Sequence, residues 1–184
     1  LVFLGDSITH GWERNGQTTW DEYYGDRKAI NLGFGGDRTE HVLWRLDHGE
    51  FDGYKPRVAV IMIGTNNTGH DMHPPESIAA GIKKIVATIH NKSPDTKILL
   101  LGIFPRGATT DDPKRVNNDN TNALISTMAD GKRIFFLTIN NEFLTKDGVL
   151  TKEIMPDLLH PKEKGYAIWA EAMEPTLARL YDMK

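Results

Sequence analysis

Two nearly continuous apolar runs, Arg57 to Ile63 and Lys97 to Ile103, constrain this chain more than any other feature. Neither alternates polar with apolar residues as a strand with one wet face must, so both read as strands covered on both faces, the mark of a parallel sheet. Parallel neighbours need a long crossover between them, and helices usually supply it. The intervening sequence meets that need: Pro75 and Glu76 open a segment in which Ile78, Ile82, Ile85, Val86 and Ile89 recur at helical spacing, and Ser93-Pro94-Asp95 stops it. Thr39 to Leu46 puts Val42, Leu43 and Leu46 on one helix face, with Gly49 beyond its end as a stop. From Pro161 to Tyr181 a stripe of Tyr166, Ile168, Trp169, Met173, Leu177 and Leu180 faces a core, with Pro161 suited to the first helical turn. Shorter runs at Val2 to Leu4, Ala29 to Leu32 and Arg133 to Leu137 bring the count to five parallel strands. Alternation of this kind predicts an α/β fold: a three-layer α/β/α sandwich on a doubly wound sheet, with flavodoxin-like strand order.

A chain of 184 residues has the size of one domain, and no composition shift, linker or repeat divides it, so residues 1–184 read as a single unit. The formal net charge is −3, and Lys and Arg are dispersed without a run or an aromatic-interleaved stripe, which argues against nucleic acid and anionic membranes as partners. No stretch approaches the roughly twenty apolar residues that cross a bilayer. With no cysteine, disulfides, thiolate nucleophiles and Cys-based zinc sites are excluded, but the compartment is not decided. The chain starts inside a strand and without Met, so sequence before Leu1 is expected, a cleaved signal peptide among the options, and localisation stays open.

In open parallel sheets, ligands bind beyond the carboxyl ends of the strands. Gly5-Asp6-Ser7 breaks the first strand at once, which puts Ser7 on a strand-to-helix turn at that edge. Gly35-Gly36-Asp37 follows the second strand, Gly64-Thr65-Asn66-Asn67 the third and Arg106 the fourth, while Asp157 and His160 lie in the long loop after the fifth. A serine, a histidine and a carboxylate at one edge provide a nucleophile, a base and an orienting group, the three roles of serine-based acyl transfer. Imidazole serves as base because it changes charge near neutrality, and the three-residue step from Asp157 to His160 lets the carboxylate reach the far ring nitrogen within one turn. The other histidines, His10, His41, His48, His70, His73 and His90, are not paired with a nucleophile by any motif.

These blocks make the chain similar to the SGNH hydrolases, or GDSL esterase/lipase family. Ser7 matches the block I serine, Gly36 the block II glycine, Asn66 the block III asparagine, and Asp157 with His160 the block V pair. Within the family, Gly35 to Leu46 and Phe104-Pro105-Arg106-Gly107 most resemble the catalytic subunits of platelet-activating-factor acetylhydrolase and their bacterial acetylesterase relatives. Two departures bear on subgroup and substrate: block I reads Gly-Asp-Ser-Ile, and block III reads Gly-Thr-Asn-Asn where many members have Gly-x-Asn-Asp. The resemblance implies an acyl-enzyme on Ser7 without metal or cofactor. It also implies an oxyanion hole of the Ser7 and Gly36 backbone N–H groups and the Asn66 amide; Gly36 read as a turn glycine and Asn66 read as a loop tie stay open beside that. Relatives often dimerise, so a homodimer is a further expectation.

Several residues support two readings. Asp6 either holds the Ser7 turn through local N–H groups or reaches substrate. Arg38 and Arg106 either contact a polar substrate or pair with acidic neighbours such as Asp37, and Trp12 and Trp20 either wall the pocket or cover core. Trp44 and Trp169 fall on helix stripes and read as packing, while His70 and His73 suggest a metal only faintly, since no third ligand is indicated. The expected activity is hydrolysis of short acyl esters, acetyl above all, with O-acetylated carbohydrate as the leading substrate. Platelet-activating-factor-like phospholipid, lysophospholipid and thioester are the enzymatic alternatives, and a flavodoxin-like binding module is the non-enzymatic one. The first turn lacks the glycine spacing and lysine of a phosphate loop, which counts against the last.

Overall fold

The computed structural model describes residues 1–183. Five strands, β1 (Val2–Gly5), β2 (Ile30–Gly33), β3 (Val58–Met62), β4 (Lys97–Leu101) and β5 (Ile134–Leu137), pair in parallel in the order β2-β1-β3-β4-β5. This is the flavodoxin-like order expected from the alternating pattern. Seven helices accompany them: α1 (Ser7–His10), α2 (Gln17–Tyr24), α3 (Thr39–Asp47), α4 (Thr65–Asp71), α5 (Pro75–Lys92), α6 (Pro113–Ser126) and α7 (Glu163–Asp182).

The two-residue period of the strands divides the interior in two. Phe3, Val58, Val60, Met62, Leu99, Leu101 and Phe135 point to one face, where α7 lays down Trp169, Met173, Leu177 and Leu180. Val2, Leu4, Ile61, Ile98 and Leu100 point to the other, where α5 contributes Ile78, Ile82, Ile85 and Ile89, and α3 contributes Val42 and Leu46. Trp12 is the hub of the first core: it is fully buried, with ring centroids of Tyr166 at 4.7 Å, Trp169 at 4.8 Å and Tyr24 at 5.5 Å. Trp12 therefore covers core and does not wall a pocket, and the partly buried Trp20 packs on the same cluster.

Two helices depart from the sequence expectation. The C-terminal helix begins at Glu163 with Lys162 as its N-cap, so Pro161 lies before the helix and not in its first turn. The cause is the Lys162 N–H, which donates to the Ile154 carbonyl at 3.1 Å and holds this stretch against the preceding loop. Helix α4 occupies a stretch that reads as a turn, because Thr65, Asn66, Asn67 and Thr68 offer no apolar period yet are all buried. Polar contacts replace hydrophobic packing there: Asn67 Oδ1 accepts from the Thr39 N–H at 3.0 Å, and Asn117 Nδ2 donates to Thr68 Oγ1 at 2.8 Å. Helix α6 is similarly polar inward. Its Asn122 accepts from the Ile103 N–H at 2.7 Å and donates to the Ile103 carbonyl at 2.9 Å, giving the chain beyond β4 the pairing that a further strand residue would have supplied.

Candidate active site

Ser7 stands where β1 meets α1. Gly5 is required just before it, since a Cβ there would lie 2.1 Å from Thr9 Oγ1 and 2.5 Å from the Met62 carbonyl oxygen. Asp6 is 1% exposed and caps α1, its Oδ1 accepting from the Ile8 N–H at 2.9 Å. It holds the turn from inside and offers no surface to a substrate. Burial pushes the Asp6 carboxyl up to about 7, against the opposing pull of the Ile8 N–H and of His160.

The loop after β5 returns across the sheet edge to meet this turn. His160 Nε2 lies 2.8 Å from Ser7 Oγ, and His160 Nδ1 lies 2.6 Å from Asp157 Oδ2. Asp157 Oδ1 also accepts from the backbone N–H groups of His160 at 2.7 Å and Leu159 at 3.1 Å, which fixes the carboxylate toward the ring. Burial raises the Asp157 carboxyl, but the ring and backbone hydrogen bonds of His160, its charge and the Leu159 N–H outweigh that and hold it below the usual range. Between the two residues Leu158 adopts φ +59°, a left-handed conformation that costs a non-glycine residue about 1–2 kcal/mol. Its carbonyl accepts from the Gly107 N–H at 3.0 Å, so the strained loop is anchored to the segment after β4.

Two adjoining cavities open on this edge and share Gly35. One, of about 440 Å³, is lined by Ser7 and His160 together with His10, Arg14, Asn15 and Tyr166. The other, of about 320 Å³, is lined by Gly36, Asp37, His41, Trp44 and Arg45. Gly36 has φ +83°, and a Cβ built on it would meet nothing within 4 Å, so its backbone faces open space. Its N–H makes no hydrogen bond among the described residues, and the Ser7 N–H sits at the first position of α1, where no intrahelical acceptor exists. Asn66 is 7% exposed and donates one amide hydrogen to the Asp37 carbonyl at 2.9 Å, tying α4 to the loop that carries Gly36 and leaving the second hydrogen without an acceptor among the described residues.

Arg38 pairs with acidic neighbours, one of its two readings, though not with Asp37. Asp37 pairs with Arg45 at 2.8 Å, while Arg38 pairs with Asp71 and, at 2.7 Å, with Glu40. Arg106 is half-buried and donates to the Thr65 carbonyl at 2.8 Å, bracing the first residue of α4; burial lowers its pKa, offset in part by Asp112, Asp6 and Asp157. Neither lines the two cavities. Trp44 corrects the helix-stripe reading outright: it is 61% exposed, stacked on His48 with centroids 4.0 Å apart. The stripe is misleading there because α3 is only nine residues long and buries Val42 and Leu46, which leaves Trp44 on its outer side. His10, Arg14 and Asn15 carry no motif that would have marked them, and only the winding of the chain after α1 brings them beside Ser7. Among the described residues no group of three or more His, Asp or Glu side chains is placed to hold a metal ion.

With Ser, His and Asp linked at the carboxyl edge of a parallel α/β sheet, the chain is by its family and relatives a carboxylic ester hydrolase. Residues 3–168 match the model of the GDSL-like Lipase/Acylhydrolase family, and the chain belongs to that family. It is 36% identical over 184 residues to the platelet-activating factor acetylhydrolase IB subunit alpha1 of Bos taurus, covering 98% of this chain and 75% of the relative. The alpha2 subunit of Rattus norvegicus is 34% identical over 183 residues, covering 99% and 77%. Among solved structures, Axe2, an acetylxylan esterase from Geobacillus stearothermophilus, superposes with a TM-score of 0.74 at 18% identity, covering 100% of this chain and 94% of that one, a likeness of fold.

Proposed function

We propose that this chain is a single-domain esterase that removes acetyl and similarly short acyl groups from hydroxyls of carbohydrate, with Ser7 as nucleophile. The observation that carries this reading is the continuous relay from Ser7 Oγ through His160 to Asp157, with contacts of 2.8 and 2.6 Å. In the first half-reaction Ser7 Oγ bonds to the ester carbonyl carbon while His160 Nε2 takes its proton; Asp157 holds the ring and balances the imidazolium. The carbonyl oxygen becomes an anion, for which the N–H groups of Ser7 and Gly36 and the remaining amide hydrogen of Asn66 are the donors. Collapse breaks the bond to the alcohol oxygen, which receives the proton from His160, and leaves the acyl group on Ser7. Water then gives its proton to His160 and attacks the acyl carbon, and the same steps in reverse release the carboxylic acid and free Ser7.

What supports a short acyl group is the lining of the Ser7 cavity, which includes Gly11, Gly35, Pro161 and Tyr166 beside polar His10, Arg14 and Asn15 but no Val, Leu, Ile or Met side chain to hold a long chain. What supports a sugar is the exposed Trp44, a flat aromatic surface lining the cavity of Gly36 that adjoins the Ser7 cavity. The names of the curated relatives favour a second reading, a phospholipid acetyl ester, which keeps the acyl group and changes the alcohol. The deciding experiment is a series of p-nitrophenyl esters of increasing chain length, run beside acetylated xylo-oligosaccharides and an acetyl ether phospholipid, with Ser7→Ala as blank. The proposal expects acetate to lead the series, acetylated sugar to exceed phospholipid in kcat/KM, and Ser7→Ala to lose about three to six orders of magnitude. Preference for long acyl chains or for phospholipid would overturn the substrate, and near-normal turnover by Ser7→Ala would overturn the nucleophile.

A further inference from the structure

The edge of the sheet opposite Ser7, where the strands begin, holds a cavity of about 640 Å³ lined by Lys55, Arg57, Lys92, Lys97, Lys132 and Arg133. Among the described residues a single carboxylate, Asp95, lines it with them. These cations come from four places in the sequence: Lys55 and Arg57 just before β3, Lys92 at the end of α5, Lys97 at the start of β4, and Lys132 and Arg133 just before β5. Scattered along the chain they form no run, and only the parallel sheet, by starting its strands side by side, gathers them. In a chain of net charge −3 this is a strong local reversal of sign.

Their partners are few. Lys92 pairs with Asp52 at 2.6 Å and Lys97 donates to the Met183 carbonyl at 2.8 Å, but Lys55, Arg57, Lys132 and Arg133 have no carboxylate within ion-pair distance among the described residues. Elsewhere the chain does pair such groups: Arg27 with Glu174, Arg38 with Glu40 and Asp71, and Arg45 with Asp37 and Glu50. Asp130, the acid nearest in sequence to Lys132 and Arg133, spends its Oδ1 on the backbone N–H groups of Lys132, Arg133 and Ile134, all at 2.8 Å. Arg57 is further steadied by the Tyr181 ring, 5.7 Å from its guanidinium carbon. Like charges lining one cavity add their potentials there, and guanidinium groups favour phosphate and sulfate oxygens in particular.

We propose that this cavity is a binding site, separate from the esterase site, for a small anion carrying several phosphate or sulfate charges. Its concave shape and limited volume suit a compact ligand and not a nucleic-acid backbone, which would call for an extended basic stripe. The ligand reaches it from the face of the molecule away from Ser7, so hydrolysis and anion binding do not compete for space.

Inorganic tripolyphosphate is the probe, titrated into the intact chain by calorimetry at several salt concentrations and followed by amide chemical shifts. The expected result is one saturable site whose affinity falls as salt rises, with shifts clustered at Lys55, Lys97 and Arg133 and none at Ser7. Arg57→Glu with Arg133→Glu should weaken binding at least about tenfold while leaving p-nitrophenyl acetate turnover and Tm unchanged. Should that pair fail to fold, Arg57→Gln with Arg133→Gln removes the same charges more gently and should weaken binding by about threefold or more. Vesicles of phosphatidylcholine with and without a phosphoinositide bisphosphate identify the source: binding only to the latter, displaced by tripolyphosphate, assigns the anion to a lipid headgroup, and binding of the free anion alone assigns it to a soluble one. Absence of saturable binding at low salt, equal affinity in the double variant, or shifts centred on the Ser7 cavity would each overturn the proposal.

Discussion

The Tyr166 hydroxyl donates to the Ile8 carbonyl at 2.7 Å, joining the first turns of the C-terminal helix to the short helix that begins with Ser7. Burial drives the Tyr166 phenol well above its ordinary range, which keeps it protonated and able to donate at any working pH. Tyr166→Phe leaves the ring in the aromatic cluster and removes only this bond, so it should cost about 1–2 kcal/mol by chemical denaturation. Because the bond steadies α1, kcat should fall about two- to tenfold with KM little changed. Unaltered stability together with unaltered kcat would show that the bond positions nothing.

Asn66 holds the Asp37 carbonyl and presents a second amide hydrogen, so its removal has two separable effects. Asn66→Ala should lower kcat about a hundred- to a thousandfold as a lost oxyanion donor, and stability by about 1 kcal/mol as a lost loop tie. Steady-state kinetics and thermal melts on the same preparation divide the two. A loss of stability with a kcat change below about threefold would make Asn66 a tie alone.

Asp6 provides a pH signature. Its carboxyl moves from an ordinary 3.8 to about 7 on folding, so between those values the native state binds the proton that the unfolded state releases. Stability from this group is therefore complete below the unfolded value and declines as pH rises toward 7, by about 4 kcal/mol at most. Asp6→Asn keeps an oxygen for the Ile8 N–H but cannot ionise. Melting temperatures from pH 4.5 to 8 should fall less steeply for this variant than for the parent, and parallel curves would remove Asp6 from the pH dependence.

Trp44 tests alcohol recognition apart from the chemical step. Trp44→Ala should raise KM for an acetylated xylo-oligosaccharide by about tenfold, the scale of one lost aromatic platform, while leaving kcat/KM for p-nitrophenyl acetate within about twofold. Equal effects on both substrates would place Trp44 in α3 packing or in contact with another molecule.

The sheet was legible because burial on both faces imposes apolar runs, and those runs located β3 and β4 without help from the rest of the chain. The relay was legible for a different reason: Ser7, Asp157 and His160 occupy turns whose chemistry is local, with Asp-x-x-His closing on itself within three residues. Helix α4 was hidden, since Thr65 to Thr68 are buried through hydrogen bonds that belong to Thr39, Glu40 and Asn117, residues far off in sequence. Trp44 misled because a helical period reports which residues share a face and not which face meets the sheet. Basic side chains dispersed along the sequence likewise gave no hint of the cavity they form together, for their convergence depends on strand order alone.

Gly5 leaves no room for so much as a methyl group between the serine's turn and the neighbouring β3 backbone. The Ser7 hydroxyl thus inherits its coordinates from the packed middle of the molecule, whereas its imidazole partner sits on a loop bent through Leu158. Room to reshape the relay accordingly lies in the partly exposed residues 156–160, while the serine's seat admits no added atom.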